Sequence, residues 1–376
     1  MSQFNASRFA LAVALLGFLP AGLAAQDSNQ DSNQDNTGYG TTAAEFLLFG
    51  AGARGVALGG AYPAISTDAS SLYYNPAGAA LMSRPSAMVS TYEYVADTRY
   101  SWAGVAFPFS GGTTTFGAQI GTFGFGDQPV YTADQPDGTG ARYSVNQTFA
   151  GLTLASNFSD RFSAGITGKV IADNLGDASG TAFALDFGTN FHAALNNHPI
   201  KFAFVLANLG TNLSYSGDAL NTGVPRTPLP GEDEVPSLPQ PGQFRTKDFP
   251  LPTTFRVALA YDLIAAETSR LTMMGDFNQM TSNSAGFSFG SEWASSRLGG
   301  SGFGFGLRAS YSHAPANNID LVTNETALDD EERYHGVAVG GGLNYESGNF
   351  AIGLDYAFRY MGVLGGTNFF TFSLGW

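Results

Sequence analysis

Eight charged residues stand on the non-aromatic face of alternating runs: Asp186, Arg256, Asp262, Asp276, Glu292, Arg308, Asp355 and Arg359. Successive side chains of an extended chain point to opposite sides, so all eight would share the inside of a closed sheet. There they can pair across strands and stiffen a filled barrel, or line a path for a solute. Internal pairing is the plainer expectation, because a lumen of this size has to be filled.

Other arrangements carry less. Gly50-Ala51-Gly52-Ala53-Arg54-Gly55 satisfies G-x-G-x-x-G. A dinucleotide site also needs a preceding strand, a long following helix and an acidic residue further on, and the surroundings offer none of these. Close backbone packing in a confined space is the better use of such glycines. His192, His198, His313 and His335 have no metal-ligand spacing and read as solvated surface histidines. Glu232-Asp233-Glu234 and Asp329-Asp330-Glu331-Glu332 match no ordered calcium loop and read as solvated charge. No Ser-His-Asp set has workable spacing. Neither an enzyme nor a cofactor or metal site is therefore expected. With 17 Lys and Arg against 31 Asp and Glu, and a net charge of −14, nucleic acid is excluded as a partner. The absence of cysteine excludes disulfides and thiolate chemistry.

The elements that would position the eight charges are strands. The C-terminal run Gly366–Trp376 sets Phe370, Phe372, Leu374 and Trp376 on one face against Phe369, Thr371, Ser373 and Gly375 on the other. That alternation, closing on an aromatic, suits a strand of an outer-membrane β-barrel. Fourteen such runs follow Ser86: 86–95, 99–109, 113–124, 143–156, 161–172, 179–192, 200–209, 253–264, 269–280, 285–293, 302–312, 335–345, 349–360 and 366–376. The run 99–109 is the least clear, with bulky residues on both faces. Tight connections follow strands 2, 4, 8 and 12 of that series. The long ones, 125–142, 210–252 and 313–334, follow strands 3, 7 and 11. Long and short connections thus sort to opposite ends, as one even-stranded antiparallel barrel requires. Only 13% of residues are charged, and no apolar run after the N-terminus is long enough for a spanning helix. The expectation is an all-β, 14-stranded antiparallel transmembrane barrel over 86–376, with outer-membrane lipid around it.

Ahead of the strands, residues 1–25 read as a cleaved signal peptide, with Arg8, the apolar run Phe9 to Leu19 and the small residues Ala24 and Ala25. Residues 26–40 are a polar low-complexity spacer, expected to be disordered. Residues 41–85 mix glycine, caps and turns. Asp68 can cap a short helix from Ala69 to Tyr74, which Pro76 ends by biasing Asn75 away from the helical region.

The run G-A-R-G-V-A-L-G-G-A at 52–61, the block D-A-S-S-L-Y-Y-N-P-A-G at 68–78, L-P-T-T-F-R-V-A-L-A-Y at 251–261 and G-L-D-Y-A-F at 353–358 resemble the PorV/PorQ family of outer-membrane proteins. The 68–78 block is also similar to the FadL-type long-chain fatty-acid transporters, which share the fold. The resemblance implies a fourteen-stranded barrel whose segment 41–85 folds into the lumen as a hatch. It further implies that Asn75, Pro76 and Gly78 form the turn joining hatch to wall. Two functions follow from it: passage of a hydrophobic small molecule gated by the hatch, or a type IX secretion shuttle that takes cargo from a secretion translocon. A structural barrel or surface adhesin is the remaining alternative.

Overall fold

The computed structural model describes residues 40–224, 239–281, 285–296, 301–313, 336–348 and 350–376. The expected signal peptide, nearly all of the polar spacer, both acidic clusters and His335 lie outside the described residues. The strands in chain order are β1 (Ser86–Glu93), β2 (Arg99–Phe109), β3 (Thr114–Pro129), β4 (Arg142–Ser159), β5 (Phe162–Leu175), β6 (Ala178–Leu195), β7 (His198–Gly210), β8 (Ser216–Gly217), β9 (Asn221–Val224) and β10 (Gln240–Gln243). They continue with β11 (Thr254–Ala265), β12 (Ser269–Met280), β13 (Gly286–Ser295), β14 (Phe303–His313), β15 (Val337–Ser347), β16 (Phe350–Tyr360) and β17 (Gly366–Gly375).

Fourteen of these, β1–β7 and β11–β17, pair antiparallel with their neighbours round a closed ring. Closure is made by β1 on β17, where Ser86 meets Gly375 and Thr91 meets Phe370. The fold is therefore the expected 14-stranded antiparallel barrel. The period-two pattern decides which face each side chain takes. On β17, Phe370 and Phe372 are 56% and 43% exposed outside the barrel, while Phe369 and Thr371 are buried inside it. Leu152, Leu154, Phe183, Phe289, Leu307, Leu343 and Leu354 continue the exposed apolar exterior. So large an apolar surface belongs against hydrocarbon rather than water. Leu354→Arg, at the middle of β16, should lower the stability of the bilayer-inserted barrel by about 2–4 kcal/mol. Urea titration of refolded protein in lipid vesicles measures this, and an unchanged midpoint would place that face away from lipid.

Two local features depart from the expectations, and a third accounts for one of them. β3 runs on to Pro129 and β4 starts at Arg142, with a register shift between Phe125 and Gln128, so the first long connection shrinks to 130–141. Ladder hydrogen bonds sustain this polar extension without apolar alternation. Within the 210–252 loop, β8 pairs onto β6, and β9 with β10 forms a separate two-stranded sheet. On β2, Tyr100 and Trp102 point inward and are buried, which accounts for its two bulky faces. At the end of the barrel opposite the long loops, Asn196 and Asn197 both take positive φ (51° and 64°) and make a two-residue turn between β6 and β7.

Candidate functional site

The segment from Thr41 to Met82 lies against the inner faces of the strands. It is built from short pieces: a 3-10 helix Glu45–Leu48, a helix Ala53–Ala57, a helix Ser71–Tyr74 and a 3-10 helix Pro76–Leu81. The Ser71–Tyr74 helix begins two residues later than expected. Asp68 Oδ1 accepts the Ser70 N–H at 2.9 Å, so its carboxylate closes an Asx turn before the helix and does not cap it. Asn75 is extended (φ −162°, ψ 103°) and ends the helix before Pro76.

Asn75, Pro76 and Gly78 lie in one turn, in which the Gly78 N–H donates to the Asn75 carbonyl at 2.9 Å. Asn75 Oδ1 accepts the Ala77 N–H at 3.1 Å, and its amide donates to the carbonyls of Pro63 (3.0 Å) and of Thr189 on β6 (3.2 Å). A Cβ at Gly188 or Gly165 would collide with Asn75 or Pro76, and one at Gly78 with the Ser66 carbonyl. The turn thus packs on β5 and β6, several strands round the ring from β1, and residues 82–85 make the connection to the wall.

The wall holds the segment from several sides. Gln119 Nε2 donates to the Leu72 carbonyl at 2.6 Å, Ser312 Oγ to the Gly59 carbonyl at 2.9 Å and Asn157 Nδ2 to the Ala80 carbonyl at 2.8 Å. The Ala53 N–H donates to Thr371 Oγ1 at 2.7 Å. The strongest tie is ionic. Arg54 grips Glu292 on β13 through two bonds, Nε to Oε2 at 2.7 Å and a terminal nitrogen to Oε1 at 2.8 Å. Arg308 on β14 donates to the same carboxylate at 2.7 Å and to Asp355 on β16 at 2.5 Å, and Arg270 reaches Glu292 at 3.5 Å. Burial works against the Arg54 charge, yet Glu292, Tyr62 and Asp68 together hold its pKa above the ordinary arginine value. Burial also pushes the neighbouring Tyr62 phenol well above the usual tyrosine range. A polar cavity of about 430 Å³ reaches this cluster from the short-turn end, past Ser269, Arg270 and Asn344.

The other sequence-derived charges form separate groups. Arg256 pairs with Asp276 at 2.7 Å and also donates to the Gly60 carbonyl. Asp186 meets Lys169 at 2.8 Å. Asp262 accepts from Thr272 at 2.6 Å. Arg359 lies near Tyr74. Among the histidines, His198 opens β7 with Nδ1 2.8 Å from the Asp262 carbonyl oxygen, and His313 ends β14.

Arg54, Lys169 and Arg270 were not singled out from the sequence. Lys169 had a usable signal: its neighbours Ile166 and Val170 are outward, which marks Lys169 as inward. Also missed was an aromatic group at the long-loop end of the lumen. Phe49 of the segment meets Tyr94 (centroids 4.7 Å), Phe123 (5.0 Å) and Tyr100 (5.7 Å), and Tyr92 meets Phe369 at 4.0 Å. The larger concavity, about 920 Å³, is lined by the outward residues Val89, Ile120, Leu343, Leu354 and Phe372, so it is a hollow in the lipid-facing exterior.

No protein-family model matches the chain. No curated protein matches it either. Among solved structures, the Ralstonia pickettii toluene transporter TbuX superposes with a TM-score of 0.51 at 12% identity, covering 88% of this chain and 98% of that one. The Pseudomonas putida toluene transporter TodX gives 0.50 at 12% identity, covering 87% and 96%. At this identity the likeness is one of barrel fold alone, over most of this chain and nearly all of each of those two.

Proposed function

We propose that the protein is an outer-membrane conduit for hydrophobic small molecules, with residues 41–82 as its hatch. The observation that carries this reading is the asymmetry of the filled lumen. An aromatic approach faces the long-loop end, a polar ionic cavity faces the short-turn end, and a segment of short, hydrogen-bonded pieces separates them. An apolar solute would concentrate at the aromatic end and pass once the segment shifts. Both comparison barrels are described as toluene transporters, which agrees with this class of solute. On this reading the short-turn end faces the periplasm, and the first 25 residues are the export signal.

The test uses cells with an intact lipopolysaccharide layer and the fluorescent hydrophobic probe N-phenyl-1-naphthylamine. Cells making the protein should take up the probe several-fold faster than cells without it. Equal rates, with the barrel present as a heat-modifiable band on gels, would sink the conduit reading.

A second reading is favoured by the outer loop and by the PorV/PorQ-like motifs. The β9–β10 sheet exposes Val224 and, just beyond it, Phe244, which is 66% exposed. Such a surface suits a protein partner, as a secretion shuttle needs. Shortening the loop between Gly217 and Gln243 should then abolish release of an exported protein without changing probe uptake.

A further inference from the structure

Phe49 leaves its 3-10 helix in an extended conformation (φ −71°, ψ 134°) and inserts its ring among three rings of the wall. Phe123 meets it edge-on at 79° and Tyr100 edge-on at 78°, while Tyr94 lies tilted at 35°. All three separations fall within the range in which aromatic quadrupoles attract. Phe49, Tyr94 and Phe123 are each partly exposed, so this box opens toward the long-loop end. Tyr100 is fully buried, and its hydroxyl has no hydrogen-bond partner among the described protein atoms. A buried donor left this way rewards any group that can accept from it.

We infer that Tyr94, Tyr100 and Phe123 form a binding site for a single aromatic ring bearing a hydrogen-bond acceptor, and that Phe49 is the ring occupying it in the closed chain. The inference rests on the conduit reading and names the solute class for it. The box prefers a flat ring because edge-to-face contacts are lost with a saturated one. It prefers an aryl ketone over the matching hydrocarbon because only the ketone accepts from the Tyr100 phenol.

The test is calorimetric titration of the full-length protein in detergent with acetophenone, ethylbenzene and ethylcyclohexane. Phe49→Ala removes the resident ring and should bind acetophenone about tenfold more tightly than the wild type. It should also favour ethylbenzene over ethylcyclohexane. In the Phe49→Ala background, Tyr100→Phe should cancel the preference for acetophenone and leave ethylbenzene affinity unchanged. Three results would each overturn the site: no gain in Phe49→Ala, equal affinity for the saturated ring, or a ketone preference that survives Tyr100→Phe. The heat-modifiable gel band confirms that each variant is folded. Binding as expected without faster probe entry into cells counts against the conduit alone. Faster entry without binding here counts against the site alone.

Discussion

Glu292→Gln should raise the ionic conductance of the reconstituted barrel about a hundredfold, because it releases the segment that fills the lumen. The Glu292 carboxylate is fully buried and accepts from Arg54, Arg308 and Arg270. The amide leaves three guanidiniums converging on a neutral group. Arg308 keeps Asp355 at 2.5 Å, whereas among the described residues Arg54 keeps a single anionic partner, Asp68, at 3.4 Å. The loss therefore falls chiefly on the contact that ties the segment to the wall. Removing one partner of a buried pair costs about 3–5 kcal/mol, and the partial exposure of Arg54 argues for the lower end. About 3 kcal/mol shifts a closed-to-open equilibrium roughly a hundredfold. Asp355→Asn is the control. It touches Arg308 and not Arg54, so its conductance should stay within about threefold of the wild type. Planar-bilayer recording gives both numbers, and protease cleavage between residues 41 and 82 should rise in parallel. Wild-type conductance in Glu292→Gln would show that the ion pair does not hold the segment.

The barrel was legible because its physics is local. Alternation with period two is written into runs such as 302–312 and 253–264, and the sorting of connections then closes the ring. Strand ends were less legible. Past an irregularity at Gly126 and Asp127, Gln128 and Pro129 extend β3 by pairing with Tyr143 and Arg142, and such pairing has no compositional signature. The inner face of β2 was obscure for a different reason. Tyr100 and Trp102 face a packed segment rather than water, so polarity no longer separates inside from outside there. The candidate site was the hardest part. Parity assigns a carboxylate such as Glu292 to a face, but its partners depend on strand register and on the path of 41–82. That path has no period, because its pieces are only four to six residues long. Arg54 stands in a glycine-rich run, and nothing in its sequence neighbourhood points to Glu292, 238 positions further on.

Lys169→Met should destabilise the barrel by about 3–5 kcal/mol, and a second substitution should restore most of the loss. Lys169 Nζ lies 2.8 Å from Asp186 Oδ2 and 2.5 Å from Asn208 Oδ1, with both members of the ion pair almost wholly buried. The pair sits where β6 and β7 slip register between Leu185 and Phe187. Asn208 there adopts a positive φ of 59°, unusual for a non-glycine residue. It donates its N–H to Asp186 Oδ1 at 2.8 Å and its side-chain amide to the Pro252 carbonyl at 3.2 Å. Thr253 Oγ1 donates to the Asn208 carbonyl at 3.0 Å. The ion pair therefore supports the bulge near the end of β7, where the long outer loop departs, and Asn208 ties it to Pro252 and Thr253, where that loop returns to β11. Methionine matches the lysine stem in size, so the cavity term is small and the cost is that of a stranded carboxylate. Asp186→Leu in the same chain removes that carboxylate and should recover most of the stability, as apolar replacement of a whole buried pair commonly does. Urea midpoints in lipid vesicles decide the matter. A loss under about 1 kcal/mol in the single variant would mean that water reaches Asp186 and the pair behaves as a surface one. A double variant no better than the single would mean that Asn208 needs the Asp186 carboxylate itself to hold its left-handed conformation.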